Sequence, residues 1–179
     1  MKKILTQTFK TPVGELILGA IDNQLCLCDW KYRKMRKSID SRIQAGLNAE
    51  FIEEDSPVFS QTKLQLQEYF DGKRKIFDLP LLLVGTPFQK QVWQALLEIP
   101  FGQTTSYLEL SQQLGNPDAI RAVASANGAN AISIVIPCHR IIGSDGSLVG
   151  YAGGLEAKKK LLLLEGVKAS SAKNQIQLF

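Results

Sequence analysis

The chain contains little cysteine and only one histidine. Its 179 residues include three cysteines, which are too few and too unevenly spaced for a disulfide framework. No apolar run approaches the ~20 residues that a membrane helix requires, and the N-terminus turns polar too early for a signal peptide. With 45% hydrophobic residues, the chain can bury a core, so we expect a globular cytoplasmic protein of one or two domains.

A strong charge of either sign is also absent. The 21 basic and 17 acidic residues leave a net charge of +4, which permits an acidic partner such as nucleic acid without establishing one. The densest basic run, residues 31–37, could contact phosphates, but a solvated surface is the simpler interpretation. Cys26 and Cys28 share one face of a predicted strand in a half of the chain without histidine, so we interpret them as packing residues.

The only histidine, His139, directly follows Cys138 within the sequence Ile136-Pro137-Cys138-His139-Arg140. A thiolate is the reactive form of cysteine, and a nearby imidazole favours it. Adjacent side chains diverge on regular backbone, so a bridging water or a turn is required, and Pro137 favours a turn. The alternative is that Cys138 is a small buried residue, because the residues before it are apolar.

Two parts of the chain join near residues 71–87. In the first part, alternating apolar positions on either side of Asp22-Asn23 predict two antiparallel strands. A helix is predicted over 59–70, ended by Asp71-Gly72. The second part begins with a predicted helix that has Thr86 as N-cap and Pro87 at its first position.

Two short helices, about 106–114 and 118–127, follow across a turn at Gly115 and suggest a helix-turn-helix. The second of them is dominated by small residues and has one cation, Arg121. A reader of the major groove usually displays several long polar side chains, whereas a smooth helix suits the shallower minor groove. The alternative is that its alanines only pack against the neighbouring helix.

These motifs together resemble the methylated-DNA-protein-cysteine methyltransferases, which repair 6-O-alkylguanine. The resemblance extends over nearly the whole chain, and its motifs occur in the family's order. They are Thr11-Pro12-Val13-Gly14, Tyr69-Phe70-Asp71-Gly72, Gly85-Thr86-Pro87-Phe88-Gln89, Ile99-Pro100-Phe101-Gly102, Thr105-Ser106-Tyr107, Gly115-Asn116-Pro117, Arg121-Ala122-Val123, Ile136 to Arg140, Gly150-Tyr151-Ala152-Gly153-Gly154 and Leu163-Leu164-Glu165-Gly166.

The resemblance implies an α/β (α+β) fold with two domains. Residues 1–84 would form a ribonuclease-H-like domain of sheet and helices. Residues 85–168 would form a helical domain that carries the helix-turn-helix and the reactive cysteine. We predict that residues 169–179, which have no clear counterpart in the family, are disordered.

The resemblance also implies direct-reversal repair, in which Cys138 attacks the alkyl carbon and becomes the permanent acceptor. His139, oriented by Glu165, would accept the thiol proton through a water, while Asn130 holds this network. Tyr107 would donate a proton to the departing base. A thioether has no easy path back to a thiol, so each molecule would act once, and we find neither a cofactor motif nor a plausible set of metal ligands.

By the same resemblance the partner is double-stranded DNA, bound through the minor groove by a monomer. A protein thiol cannot reach a substituted base inside the stack, so the base must flip out. The expected substrates are 6-O-methylguanine and 4-O-methylthymine. The residues implied for the base pocket are Tyr107, Ile141, Tyr151 and Gly153, and those implied for DNA contact are Arg121, Asn116, Ala122 and Ala126.

One position near the site departs from the family pattern: Ala131 stands where a proline is usual, and we expect this to loosen the loop that holds Asn130. Two other function classes are a non-catalytic helix-turn-helix module, against which Cys138 argues, and a cysteine hydrolase. A hydrolase would require a histidine from a separate segment, and this chain has only His139.

Overall fold

The computed structural model describes residues 1–167, so the predicted disorder of 169–179 lies outside the described residues. The chain forms two units, of which the first contains residues 1–86 together with 131–135. The second contains residues 87–130 and continues from Ile136. The division predicted from sequence at residue 84 placed 131–135 in the second domain, whereas by its contacts this segment belongs to the first unit.

A four-stranded mixed sheet forms the centre of the first unit. Its strands are β1 (Lys2–Thr11), β2 (Gly14–Ile21), β3 (Gln24–Trp30) and β4 (Ala49–Glu53), in the order β3-β2-β1-β4. The predicted hairpin between β2 and β3 is confirmed. Its two turn residues, Asp22 and Asn23, have φ of 50° and 58°, the conformation of a type I′ turn, whose twist matches that of the strands.

Two helices complete this unit, α1 (Arg36–Leu47) and α2 (Pro57–Phe70). The predicted helix at 59–70 is confirmed, and it begins two residues earlier because Pro57 takes the first position. Helix α1 was not predicted, since only Ile39 and Ile43 of its twelve residues are buried. The core joins both helix and sheet residues, namely Ile4, Ile21, Cys26, Leu27, Ile39, Ile43, Ala49 and Ala131.

The basic run 31–37 is only partly the solvated surface that its sequence suggested. Asp29 is fully buried and accepts hydrogen bonds from Arg33 Nη1 and Arg36 Nη1, each at 2.9 Å, and from Ser133 Oγ at 3.0 Å. A buried carboxylate requires such compensation. Two arginines of the run are therefore committed to the interior of the first unit.

The outer edge of β3 is covered by two segments that are distant in sequence. Leu25 exchanges backbone hydrogen bonds with the chain around Leu81, and Cys28 exchanges them with residues 131–133, at distances of 2.7 to 2.9 Å. The carbonyl of Ala131 accepts the bond from Cys28 N. Ala131 takes part in this pairing through its carbonyl, a group that proline also has, so the looser loop expected from its sequence stays a prediction.

The second unit is mainly helical. Its elements are α3 (Pro87–Leu97), β5 (Thr105–Ser106), α4 (Tyr107–Gln113), a 3-10 helix at Pro117–Ala119, α5 (Ile120–Gly128), a 3-10 helix at Cys138–Arg140, β6 (Ile141–Ile142) and α6 (Leu155–Leu164). Val92, Trp93 and Leu96 form the buried face of α3. None of the helices in residues 1–167 is long and apolar enough to cross a membrane.

Helices α4 and α5 pack against each other as the predicted helix-turn-helix. Ser106 caps α4 through a reciprocal pair of hydrogen bonds with Glu109. Gly115 occupies the turn with φ of 77°, a conformation that favours glycine. Helix α5 starts later than predicted, because residues 117–119 form a separate 3-10 turn, and it includes Gly128, which we expected to follow its end.

Candidate active site

Cys138 lies directly after a tight turn, as Pro137 predicted. Pro137 has φ of −82° and ψ of 61°, and Cys138 N donates to Ile136 O at 2.8 Å, which together describe an inverse γ-turn. Asn130 Nδ2 donates to the same carbonyl at 3.0 Å. This places Asn130 as the side chain that fixes the turn, and Cys138 emerges from it at 4% exposure.

His139 is fully buried and pairs with Glu165, just beyond the end of α6, through a 2.7 Å contact between Nε2 and Oε1. Burial lowers the pKa of His139 below its usual value, although Glu165 opposes the shift. The imidazole is therefore neutral at pH 7. Nε2 carries the proton that it donates to the carboxylate, which leaves Nδ1 as the basic nitrogen. Within residues 1–167, Nδ1 has no hydrogen-bond partner.

Glu165 is held by a second partner that the sequence did not indicate. Arg140 Nε donates to Oε2 and Nη2 to Oε1, both at 2.9 Å, while Nη1 donates to Ile99 O at 2.6 Å. Burial raises the pKa of Glu165, but hydrogen bonds from His139 and Arg140 outweigh it and lower that pKa to about 2. The bidentate pair of hydrogen bonds from Arg140 therefore keeps the carboxylate of Glu165 ionised and oriented.

Lys158 is another buried group that sequence reasoning missed. Its side chain is fully buried in α6, and Nζ donates to the carbonyls of Val149 and Gly150 at 3.1 and 3.2 Å. Within residues 1–167, Lys158 belongs to no ion pair. Burial lowers its pKa to about 8, and the charge of Cys138 opposes this shift. This cation lies within electrostatic range of both Cys138 and His139.

The buried position of Lys158 predicts a distinctive pH dependence of stability. Its pKa is 10.5 in the unfolded chain and about 8 in the folded one, so between these values the unfolded chain holds more protons. The free energy of unfolding of the wild type, relative to Lys158→Met, should therefore increase by about 3 kcal/mol from pH 8 to pH 10.5. Denaturant unfolding at both pH values measures it. Lys160→Met, at an exposed position of the same helix, should show no such change; an equal change in both variants would contradict the assignment.

The residues expected to form the base pocket lie in the same unit as Cys138. Tyr107 begins α4 and is half-buried. Burial and the charge of Cys138 raise its pKa, while a hydrogen bond from Asn127 opposes them, so the phenol is protonated at neutral pH. The ring of Tyr151 stands edge-on to His139, with 6.4 Å between centroids. Gly153 is half-buried nearby in sequence, and Ile141 is fully buried in β6.

The residues expected to contact DNA divide into two groups. Arg121 and Ala122 are exposed on α5, and Asn116 is exposed in the turn before it. Ala126 is only 2% exposed, and its carbonyl accepts the indole N–H of Trp93 at 2.8 Å. Ala126 therefore packs inside the unit and is not part of the exposed helix surface.

The other two cysteines are unsuited to nucleophilic chemistry. Cys26 and Cys28 are buried in the first unit, and burial raises the pKa of each thiol, in the case of Cys26 to about 12. Neither forms a disulfide, nor does Cys138. Among residues 1–167, no group of three or more His, Cys, Asp or Glu side chains is arranged to hold a metal ion.

Two family models together match almost all of the described residues. Residues 4–83 match the ribonuclease-like domain of the 6-O-methylguanine DNA methyltransferases, and residues 87–167 match the DNA-binding domain of the same proteins. The predicted fold class, a ribonuclease-like sheet-and-helix domain followed by a helical DNA-binding domain, is confirmed.

Individual relatives agree with the family models. A methylated-DNA–protein-cysteine methyltransferase from Mycobacterium tuberculosis is 51% identical over 166 residues, which cover 91% of this chain and 93% of the relative. One from Methanosarcina acetivorans is 43% identical over 158 residues, covering 88% and 96%. The crystal structure of M. tuberculosis OGT in complex with DNA superposes with a TM-score of 0.77 at 39% identity, covering 98% of this chain and 99% of that one.

Proposed function

The chain belongs to the methylated-DNA–protein-cysteine methyltransferase family, and on this premise we propose that Cys138 is its alkyl acceptor. The reaction is transfer of the alkyl group from 6-O-methylguanine in DNA to a cysteine of the protein. Only Cys138 adjoins a histidine. The observation that carries the assignment is the buried His139–Glu165 pair, which leaves His139 Nδ1 free to accept a proton.

Activation of Cys138 requires removal of its proton. The neutral imidazole of His139 accepts this proton at Nδ1 through a bridging water. Glu165, held ionised by Arg140, fixes the tautomer and stabilises the imidazolium that forms. The positive charge of Lys158 adds to the stabilisation of the thiolate.

The transfer itself is a direct displacement. The thiolate sulfur of Cys138 forms a bond to the methyl carbon as the bond between that carbon and O6 breaks, and the electron pair departs with the guanine. Tyr107 donates its proton to the base as negative charge develops on it, which lowers the barrier. The products are S-methylcysteine and unmodified guanine.

DNA contact is assigned to the exposed surface of α5 and the turn before it. Arg121 is the cation on that surface, and we assign to it the place in the duplex that the flipped base leaves. Asn116 and Ala122 flank it, and the small side chain of Ala122 permits close approach to the minor groove. The similar M. tuberculosis OGT has been crystallised in complex with DNA, which supports DNA as the partner.

The acceptor is consumed, so each molecule acts once. The bond between sulfur and the methyl carbon of a thioether is not readily cleaved, and nothing in the proposed mechanism returns the thioether to a thiol. The nucleophile must stay reduced before the reaction, and Cys138 forms no disulfide. We therefore place the protein in the reducing cytoplasm.

Mass spectrometry of the wild type tests the proposal. After incubation with excess duplex containing 6-O-methylguanine and no added cofactor, intact protein should gain one methyl group per molecule, and peptide mapping should locate it on Cys138. Cys26 and Cys28 in the same sample serve as internal controls and should remain unmodified. Repeated turnover, a methyl group on another residue, or binding of the duplex without any adduct would contradict the proposal.

A further inference from the structure

The turn between α3 and β5, residues 99–102, has no role in the mechanism above. It nevertheless contacts both members of the Arg140–Glu165 pair. Ile99 O accepts a hydrogen bond from Arg140 Nη1 at 2.6 Å, and Gly102 N donates a longer one to Glu165 Oε2 at 3.4 Å. The turn therefore bonds to the cation and to the carboxylate that together hold the imidazole of the site.

Gly102 makes the closest approach of this turn to Glu165. Its φ is 80°, a conformation that favours glycine. A Cβ at this position would lie 2.9 Å from the backbone oxygen of Glu165, which is well inside the optimal separation of two non-bonded atoms. The turn can thus lie this close to Glu165 only because residue 102 has no side chain.

The backbone of Glu165 has little freedom to retreat, because the end of α6 is fixed by its own hydrogen bonds. Gly166 N donates to Leu163 O and Val167 N donates to Leu162 O, both at 3.0 Å. These two bonds form a Schellman motif around Glu165. The side chain of Glu165 is buried as well. A methyl group added to the facing turn would therefore push the carboxylate and the turn apart.

A displaced Glu165 would affect the nucleophile through His139. The contact between Glu165 Oε1 and His139 Nε2 is 2.7 Å long, and hydrogen bonds weaken as they depart from their preferred geometry. The carboxylate then orients the imidazole less well and stabilises the imidazolium less. Misplacement of a group by about 1 Å can cost about 100-fold in rate, even when the change lies far from the reacting atoms.

We propose that Gly102 is a positioning residue for methyl transfer, because its missing side chain lets the turn at 99–102 hold Glu165 where it orients His139. Gly102 contacts no reacting atom and acts only through Glu165. The inference rests on the proposed function, because it requires His139 to accept the proton of Cys138. A single methyl group on residue 102 should slow the transfer and leave the affinity for DNA unchanged.

Gly102→Ala tests the proposal, with Gly72→Ala as a matched control. Gly72 follows α2 with φ of 73°, but a Cβ there would have no atom within 4 Å. The two variants therefore carry similar backbone strain, and only Gly102→Ala brings a methyl group against Glu165. Gly102→Asn and Gly72→Asn repeat the comparison with a residue that tolerates positive φ better, so the test does not depend on one variant being folded.

The rate constant of single-turnover transfer is measured at saturating 6-O-methylguanine duplex from pH 6 to pH 9, with thermal unfolding to verify each fold. Gly102→Ala should be about 10- to 100-fold slower than the wild type at pH 7. The deficit should narrow as the pH rises, since hydroxide then ionises the thiol without His139. Gly72→Ala should match the wild type. In the Glu165→Gln background, Gly102→Ala should slow transfer little further, because the carboxylate on which it acts is already absent.

The imidazole itself offers a measurement that does not depend on transfer. His139 is the only histidine of the chain, so its Nε2 proton can be assigned without ambiguity in a nuclear magnetic resonance spectrum. A strong hydrogen bond to a carboxylate moves such a proton downfield. Its resonance should shift upfield in Gly102→Ala and keep the wild-type position in Gly72→Ala.

Three results would overturn the inference. Equal transfer rates in Gly102→Ala and Gly72→Ala, or a Nε2 proton at the wild-type position in Gly102→Ala, would show that the turn accommodates the methyl group without moving Glu165. Full additivity of Gly102→Ala and Glu165→Gln would show that Gly102 acts through another group. A wild type that transfers no methyl group would refute the proposed function instead, while the Nε2 resonance would still test the contact between the turn and Glu165.

Discussion

Cys138→Ser should abolish methyl transfer completely while leaving the affinity for methylated duplex unchanged. A serine hydroxyl occupies nearly the same space as the thiol, so the turn at Pro137 and the hydrogen bond from Asn130 to Ile136 should persist. A hydroxyl, however, is ionised far less readily than a thiol and is a much weaker nucleophile at neutral pH. Single-turnover transfer measured by protein mass, together with equilibrium binding of the same duplex, gives both quantities.

Cys26→Ala is the matched control for this variant. Cys26 is also buried, but in the first unit, and its raised pKa of about 12 keeps it a thiol. Its removal should lower stability through the cavity that it leaves, yet the folded protein should transfer one methyl group as the wild type does. Transfer in Cys138→Ser, or its loss in folded Cys26→Ala, would show that Cys138 is not the acceptor.

Glu165→Gln should slow methyl transfer by about 10²- to 10⁴-fold. The substituted amide can donate to His139 Nε2, which moves the imidazole proton to Nδ1 and blocks the nitrogen that accepts the thiol proton. It also removes the negative charge that stabilises the imidazolium. Single-turnover rate constants should be measured from pH 6 to pH 9, with unfolding curves to verify the fold, because Arg140 loses its counterion.

The pH dependence distinguishes this catalytic effect from general damage to the fold. Burial lowers the pKa of His139 below 6.5, the ordinary value for histidine. The wild-type rate should therefore fall only below pH 6.5, where His139 becomes protonated. The deficit of Glu165→Gln should narrow as the pH rises, since hydroxide then ionises the thiol without His139. Glu156→Gln, at an exposed residue of α6 that pairs with Lys160, should match the wild type. A deficit that is constant with pH would contradict the role of Glu165.

Local signals in the sequence predicted the elements that depend on local chemistry. Asp22-Asn23 specifies a two-residue turn because both residues tolerate positive φ. Pro137 specifies the turn before Cys138, and Gly115 specifies the turn after α4. In each case the residues that determine the structure lie within a few positions of one another.

Features that depend on distant contacts could not be predicted in this way. Asp29 and Ser133 are 104 residues apart, and neither has a local feature that indicates the other. The parallel pairing of β1 with β4 is equally non-local. Glu165 by itself resembles a carboxylate at an exposed helix end, and only the family resemblance identified it as part of the site before its burial was seen.

Lys158 shows a signal that was present and overlooked. Positions 158, 161, 162 and 165 follow the spacing of one helix face, which also carries the apolar Leu161 and Leu162 and the site residue Glu165. The lysine on that face is therefore the buried one, while Lys160 of the same run is exposed. Arg140 has no comparable pattern, because its three hydrogen bonds reach two segments that lie 25 and 41 residues away.

The covering of the β3 edge by residues 131–133 has a consequence for synthesis on the ribosome. When residue 86 emerges, the first unit is still incomplete, because the backbone hydrogen-bond partners of Cys28 begin at residue 131. These partners are synthesised 45 residues after residue 86. During this interval an unprotected strand edge is open to pairing with other chains. The same segment, once in place, leads directly into the turn before Cys138. During synthesis, the segment that covers the exposed edge of β3 is therefore followed within a few residues by the turn that precedes Cys138.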